Sequence, residues 1–402
     1  MSIITLCIAG KNNIAVEMAK YLLAYKKNVR IVACINKNDK GLNTFQKSFK
    51  LFCQLNDIRI LKLEELYNIK DLIFLSLEFD QIIKTNLFNS TYLYNIHFSL
   101  LPKYKGMYTS ALPILFGENE TGVTLHKIDN GIDTGDIIAQ KVIGIDNFLT
   151  AEELYSNYIS EGIELIIKNI DNILLNKIIL SPQSSLNSSY YSKNTIDYNK
   201  LILDFNKSAF QVLRQINAFS FSYYQLPVFN GNTIYSCKIL ETKSKVKYGT
   251  KLNEDYFSMS VSTIDFDILL KKDLRLNLFD IAIKGDIESL KGFIDYGYDI
   301  YQRSKEGWDI AIIAAYNDEI DFLEYLINTL KWDVNTYNNN GTTLCMYIMT
   351  RASKTNNIDY LIYFLENYKP NLQIKDFFGK SILCYAEEYD NLNVIEIIKK
   401  YS

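Results

Sequence analysis

Only two histidines occur in this chain of 402 residues, and both fall in one stretch: Asn95-Ile-His97-Phe-Ser99-Leu-Leu-Pro102, followed by His126-Lys-Ile-Asp129-Asn-Gly-Ile-Asp133-Thr-Gly135. Histidine is the side chain whose ordinary pKa lies near neutrality, so a reaction that moves a proton at physiological pH has few other candidates here. His97 is the leading candidate for a general base. His126, inside an apolar run, reads as a strand residue near the same place.

The flanking residues say how these groups are positioned. Asn95, His97 and Ser99 alternate as the outward residues of an extended run do, and Leu100-Leu101-Pro102 ends that run because proline cannot continue a central ladder. Asn95 and His97 then share one side at the carboxyl end of a strand. A second extended run, Gly122-Val-Thr-Leu-His126-Lys-Ile128, leads into a glycine- and aspartate-rich turn carrying Asp133. Amide, imidazole and carboxylate are expected to converge on one cleft.

Asn-x-His-x-Ser-Leu-Leu-Pro followed by Gly-Val-Thr-x-His and Asp-x-Gly-Asp resembles the formyltransferases that use 10-formyltetrahydrofolate. Two further features resemble the nucleotide-sugar branch: Ile8-Ala-Gly10-Lys11-Asn12-Asn13 near the start, and Lys103-Tyr104-Lys105-Gly106-Met107-Tyr108 just after the core motif. The resemblance covers roughly residues 1–245. It implies transfer of a formyl group to the amine of a dTDP-linked amino-dideoxy sugar, favouring 3-amino-3,6-dideoxyglucose over the 4-amino isomer, as a precursor of bacterial O-antigen. Amine attack on the formyl carbon builds negative charge on oxygen and positive charge on nitrogen. Asn95 would aim an amide N–H at that oxygen, His97 would take the amine proton, and Asp133 would orient the imidazole and stabilise its charged form. The donor is a co-substrate, and no metal or covalent enzyme intermediate is required.

The resemblance also distributes the binding groups. Lys11 and Asn12, at the first strand end, would meet the nucleotide-sugar, since a loop entering a helix offers backbone N–H groups to phosphate. The same loop reads equally as an ordinary strand-to-helix turn. Lys103, Met107 and Tyr108 join the nucleotide-sugar side, with Phe219 or Tyr223 placed to stack on thymine. Phe79, Asp80, Gln81 and Ile82 at another strand end, together with Asp129, are assigned to the folate.

Composition agrees. A net charge of −3 argues against a nucleic-acid partner, which needs a basic face, and so against the tRNA-formylating branch. Six scattered cysteines contain no Cys-x-x-Cys pair, so neither a zinc site nor a disulfide framework is suggested. The opening Met-Ser-Ile-Ile lacks the basic region of a secretory signal, and no stretch approaches the roughly eighteen consecutive apolar residues of a membrane span, so a cytoplasmic protein is expected. A homodimer is the default from the family.

Three domains are expected. Residues 1–180 form an α/β formyltransferase domain with a largely parallel sheet, and Ser181–Ser189 is a polar linker. Residues 190–250 form a small α+β domain near the nucleotide. Residues 272–402 change character. Gly307, Gly341 and Gly379 are spaced 34 and 38 apart, and Asp286-Ile-Glu288, Glu319-Ile-Asp321, Asn357-Ile-Asp359 and Asn391-Leu-Asn393 keep the same register. This period resembles ankyrin, an all-α-rich array of about four units, with an insertion around Arg351–Asn356.

An ankyrin array normally binds something, so an interaction protein carrying a degenerate enzyme domain is the competing class. Intact Asn95, His97 and Asp133 favour the enzyme. Trp308, with Tyr301, Arg303 and Lys305 nearby, suggests a second nucleotide-sugar site that regulates activity, although simple packing of Trp308 would leave the same sequence. On that reading Trp308→Ala changes sugar-binding stoichiometry by calorimetry and alters the kinetics; unchanged values for both would end it.

Overall fold

The computed structural model describes residues 3–26 and 28–402. It divides into two compact units, residues 1–42 with 47–273, and residues 43–46 with 274–402.

The first unit opens with β1 (Ile4–Gly10), α1 (Asn12–Tyr25), β2 (Val29–Ile35), α2 (Phe49–Leu55), β3 (Arg59–Ile60), α3 (Leu63–Leu66), β4 (Ile73–Leu77) and β5 (Leu93–His97). Then come β6 (Lys105–Gly106), α4 (Leu112–Phe116), β7 (Glu120–Lys127), β8 (Ile137–Gly144) and α5 (Ala151–Leu174). Seven strands form one sheet in the order β3-β2-β1-β4-β5-β7-β8. The first five are parallel, while β7 and β8 run antiparallel. Strands alternating with helices give the parallel part, and the hairpin β7–β8 supplies the reversed edge.

Alternation along each strand decides which residues build the core and which are left for chemistry. Leu6, Ile8, Tyr94, Ile96, Val123 and Leu125 face α1 and α5 in one apolar layer, and Cys7, Ala9, Phe74 and Leu93 face the other layer. With a period of two, Asn95 and His97 must then project on the side opposite Tyr94 and Ile96. Thr150 caps α5 by accepting from Glu153 N, and Glu153 reaches back to Thr150 N, completing a capping box. Tyr158, fully buried on α5, hydrogen-bonds Thr121 on β7 and the Thr109 carbonyl, tying helix to sheet.

A smaller layer follows. Helix α6 (Ala209–Phe219) packs on an antiparallel sheet of β10 (Val228–Phe229), β11 (Asn232–Lys243), β12 (Lys251–Glu254), β13 (Ser258–Val261) and β14 (Phe266–Lys272). Val212 and Ile216 meet Ile234, Met259, Val261, Ile268 and Leu270 there. The expected end of this layer near residue 250 is corrected to Lys272. Strand β14 pairs with β11, and β13 in turn pairs with β14, so the sheet runs on past residue 250. The expected linker Ser181–Ser189 is tied down at both ends, Ser181 to Ile137 and Ser189 to Lys105 N, and just past it β9 (Tyr190–Tyr191) pairs with β6.

The second unit is four helix pairs: α7 (Arg275–Lys284) with α8 (Ile287–Tyr296), α9 (Ile310–Asn317) with α10 (Ile320–Asn328), α11 (Leu344–Thr355) with α12 (Asp359–Tyr368), and α13 (Ile382–Glu388) with α14 (Leu392–Tyr401). Before α9, α11 and α13, a glycine at φ +84, +79 or +80 turns the chain. Two residues later Asp309, Thr343 or Ser381 caps the helix. The expected insertion near Arg351–Asn356 is absorbed by lengthening α11 to Thr355.

Gly10, where β1 gives way to α1, tests how tightly the sheet is drawn together. A Cβ there would lie 1.9 Å from the Leu77 carbonyl oxygen of β4. Gly10→Ala should destabilise the first unit by about 1–3 kcal/mol, measured as a lowered thermal midpoint.

Candidate active site

Strand register assembles the site. β5 pairs antiparallel with β7 so that Asn95 lies opposite His126 and His97 opposite Thr124. Opposed residues in an antiparallel pair share a face, so Asn95 and His126 meet although 31 residues apart. Just past β7, the turn carrying Asp133 folds back over both. Asp133 holds left-handed backbone, φ +55, and Gly135 sits so close to the Lys127 carbonyl that a Cβ would lie 1.8 Å away.

The hydrogen bonds identify the tautomers. His97 Nε2 lies 2.8 Å from the Tyr104 carbonyl, and a carbonyl only accepts, so Nε2 carries the hydrogen of a neutral ring. Its Nδ1 then presents a lone pair, 3.4 Å from Asp133 Oδ2. His126 Nδ1 donates to the Lys127 carbonyl at 2.9 Å, which leaves its Nε2 to accept from Asn95 Nδ2 at 3.1 Å. The other Asn95 N–H points to Asp133 Oδ1 at 3.4 Å, and Gly106 N donates to Oδ2 at 2.9 Å.

Charge follows the same geometry. Burial pushes the His97 imidazole below its usual pKa; the Asp133 carboxylate and the Tyr104 carbonyl pull it up only in part, and His126 pushes it further down. Burial alone would raise the Asp133 carboxyl, but His97, His126 and the Gly106 N–H outweigh it and hold the carboxyl near 2. At neutral pH the pair is therefore an ionised carboxylate beside a neutral imidazole. A proton arriving at Nδ1 would turn a lone pair facing an anion into a charge-assisted hydrogen bond.

These groups open on a cavity of about 650 Å³. Asn95, His97, His126 and Asp133 line it, as do Phe79, Asp80, Gln81, Ile82, Met107 and Asp129. Among the described residues no group of three or more His, Cys, Asp or Glu side chains could hold a metal ion, and no helix is long and apolar enough to cross a membrane.

The formyl transferase family matches residues 69–170, and three ankyrin repeats match residues 278–373. Methionyl-tRNA formyltransferase of Coxiella burnetii is 26% identical over 200 residues, 49% of this chain and 63% of that protein. That of Bartonella quintana is 36% identical over 127 residues, 32% of this chain and 40% of that protein. The chain thus spans less than two thirds of the length of these curated relatives. Among solved structures, WlaRD, a sugar 3N-formyl transferase with dTDP and 5-N-formyl-THF, is 44% identical with TM-score 0.63, covering 68% of this chain and 99% of that one. An N-formyltransferase from Helicobacter canadensis, in complex with folinic acid and dTDP-3-aminofucose, is also 44% identical, with TM-score 0.61 and coverage of 67% and 99%. The chain belongs to the sugar N-formyltransferases.

In this sugar N-formyltransferase the residues expected around the nucleotide-sugar do not all reach the cavity. Phe219 is corrected from a stacking residue to a core one: it ends α6 with 9% exposure, packed in the main apolar layer. Lys103 Nζ lies 3.3 Å from both Glu118 carboxylate oxygens, so its charge is already paired. The Tyr108 hydroxyl donates to the Lys193 carbonyl at 2.6 Å and its ring packs edge-on against Tyr198. Tyr223 is half-buried in the turn before β10. Lys11 caps α1 through backbone alone, and Asn12 Nδ2 donates to Glu78 Oε2 and to the Tyr155 hydroxyl.

On the expected folate side, Phe79 packs edge-on against Phe74, and Asp80 accepts from Lys37 N. Ile82 is 74% exposed, and Asp129 accepts from Gly131 N and the Thr134 hydroxyl, closing the turn.

On the ankyrin array Arg303 is corrected from ligand group to fastener. Its Nη atoms reach the Gly307 and Tyr337 carbonyls, the Thr336 hydroxyl and buried Asp309. Tyr301 stacks on Trp332 at 4.7 Å, and Trp308 packs between Tyr316 and Tyr347.

Several contributors escaped sequence reasoning. The Tyr104 carbonyl and Gly106 N act through backbone, which leaves no signal in side-chain type. Glu78, at the end of β4 with φ +58, accepts from Tyr155 at 2.9 Å. Burial raises its pKa against Lys11, Tyr155 and Asn12. Glu78 and Phe98 line the same cavity as His97, and Tyr155 packs near Phe98 and Phe221. A glutamate ending an apolar strand was the available clue.

Because Asp133 favours the charged imidazole, Asp133→Asn should lower the His97 pKa further. The acid limb of kcat/KM, already below the ordinary histidine pKa, should move to lower pH as the plateau falls. A limb that stays put or moves up would contradict the assignment.

Proposed function

We propose that this protein transfers the formyl group of 10-formyltetrahydrofolate to the 3-amino group of a dTDP-linked 3-amino-3,6-dideoxyhexose, of gluco configuration in the favoured case. The observation that carries the reading is the Asn95, His97 and Asp133 cluster on one cavity, in a chain 44% identical over 99% of a solved sugar 3N-formyl transferase.

The amine lone pair attacks the formyl carbon, and Asn95 turns one N–H from its resting acceptor to the forming oxyanion. The amine gives its proton to His97 Nδ1, where Asp133 lies ready to bond it. The bond from the formyl carbon to the folate nitrogen then breaks, and that nitrogen leaves with a proton returned by the imidazolium. The Tyr104 carbonyl keeps the ring in the tautomer that makes Nδ1 the base. Asp133 therefore stabilises the charged ring, while the carbonyl does the orienting that the carboxylate was expected to do.

The product serves O-antigen synthesis, the enzyme is cytoplasmic and it works as a homodimer.

The decisive assay is formyl transfer from 10-formyltetrahydrofolate to a panel of dTDP-3-amino and dTDP-4-amino dideoxysugars, including both C4 epimers of the 3-amino sugar. Turnover of a 3-amino sugar, reduced by about 10²–10⁴-fold in His97→Asn, is expected. No turnover of any panel member would return the protein to the class of ankyrin binding proteins with a silent enzyme domain.

A further inference from the structure

Residues 181–191 touch the site from both sides. Ser181 exchanges both backbone hydrogen bonds with Ile137, at 2.9 and 2.8 Å. Farther on, Lys105 N donates to the Ser189 carbonyl, Tyr104 N to Ser189 Oγ, and Met107 N to the Tyr191 carbonyl. This segment therefore braces the loop that supplies the Tyr104 carbonyl to His97 and the Gly106 N–H to Asp133. Between these anchors, Gln183 Nε2 donates to the Asp133 carbonyl at 2.8 Å and to the Gly135 carbonyl at 2.7 Å.

The geometry points to Gln183 as the positioning residue of the Asp133 carboxylate, a role that rests on the formyl-transfer reading above. Both partners are carbonyls and only accept, so the atom between them is the amide nitrogen and the group acts as a double donor. Its Oε1 is buried with no hydrogen-bond partner among the described residues, so the amide forgoes its acceptor to make these two bonds. What they hold is the turn in which Asp133 occupies left-handed backbone, a conformation that aspartate tolerates better than most residues but that still costs an L side chain energy. Releasing the two carbonyls frees the turn to relax, and the carboxylate moves with its backbone away from His97 Nδ1, Asn95 Nδ2 and Gly106 N together. Gln183 touches neither reacting group and acts only through Asp133.

Gln183→Glu tests this at constant shape, because an ionised carboxylate has no donor for either carbonyl. With the acceptor that the wild type turns over, kcat should fall about tenfold or more while both KM values stay within about threefold, since a small misplacement of a catalytic group is costly. The ratio of variant to wild-type rate should recover as pH falls, because a protonated carboxyl regains one donor. Gln183→Met, of similar volume with no donor, should show the same loss without the pH recovery.

A second readout needs no turnover. Nitrogen-15 spectra of the folded protein contain ring signals from only His97 and His126. In Gln183→Met, which adds no charge of its own, the His97 titration should move to lower pH as Asp133 withdraws, Asp133 and His126 being the charged and titratable groups that face it. A kcat within about twofold of wild type in both variants, or an unmoved His97 titration in folded Gln183→Met protein, would overturn the assignment. Wild type that formylates nothing would instead count against the reaction, and the spectra would still decide Gln183.

Discussion

One carboxylate holds the site together. Asp133 faces two imidazoles, an amide and a backbone N–H from four places in the chain, and only 13% of its side chain is exposed. A buried anion is costly unless its lone pairs are occupied, and here each oxygen faces both a hydrogen-bond donor and a histidine ring. Burial keeps His97 neutral, and the carboxylate beside Nδ1 readies that nitrogen to take a proton. Remove the anion and the imidazolium loses its charged partner at Nδ1, leaving the Tyr104 carbonyl to bond the other ring nitrogen.

The fold exists, from this point of view, to bring those four places together. Parallel strands carry the first half of the chain to a common edge, where β5 delivers Asn95 and His97. The reversed strand β7 then sets His126 opposite Asn95 in the antiparallel register. From there the chain turns back over the site with Asp133, and residues 181–191 clamp the turn and the 104–107 loop from outside. Backbone pairing holds β5 against β7, and the Gln183 side chain holds the turn that carries Asp133. The ankyrin array is built differently: four small repeats, the last three capped two residues after a left-handed glycine, bury their apolar faces against one another.

Family resemblance and geometry divided the binding residues differently. Phe79, Met107 and Asp129 line the cavity, as a reading by motif expects. Phe219 does not, because the last turn of α6 points into the core. Arg303 has the charge of a ligand group, yet four acceptors of the array already consume it. Residue type announces what a side chain can do, and only packing decides whether it is still free to do it.

By itself the sequence determined the α/β class and the ankyrin register, and it singled out Asn95, His97 and Asp133, which the fold brings onto one cavity. These depend on local signals: period-two alternation, a proline that ends a strand, recurrent glycines and a shortage of histidine. Tertiary structure decided what depends on long-range pairing: that β12–β14 continue the second sheet to Lys272, and that the Tyr104 carbonyl lies on one ring nitrogen of His97 and Asp133 on the other. It likewise decided that a stretch rich in serine, which looks like a linker, carries Gln183 onto the carbonyls of residues 133 and 135. Backbone carbonyls and N–H groups are the same in every residue, so their roles cannot be written in residue type. They appear only when the chain has folded and distant segments are within hydrogen-bond reach.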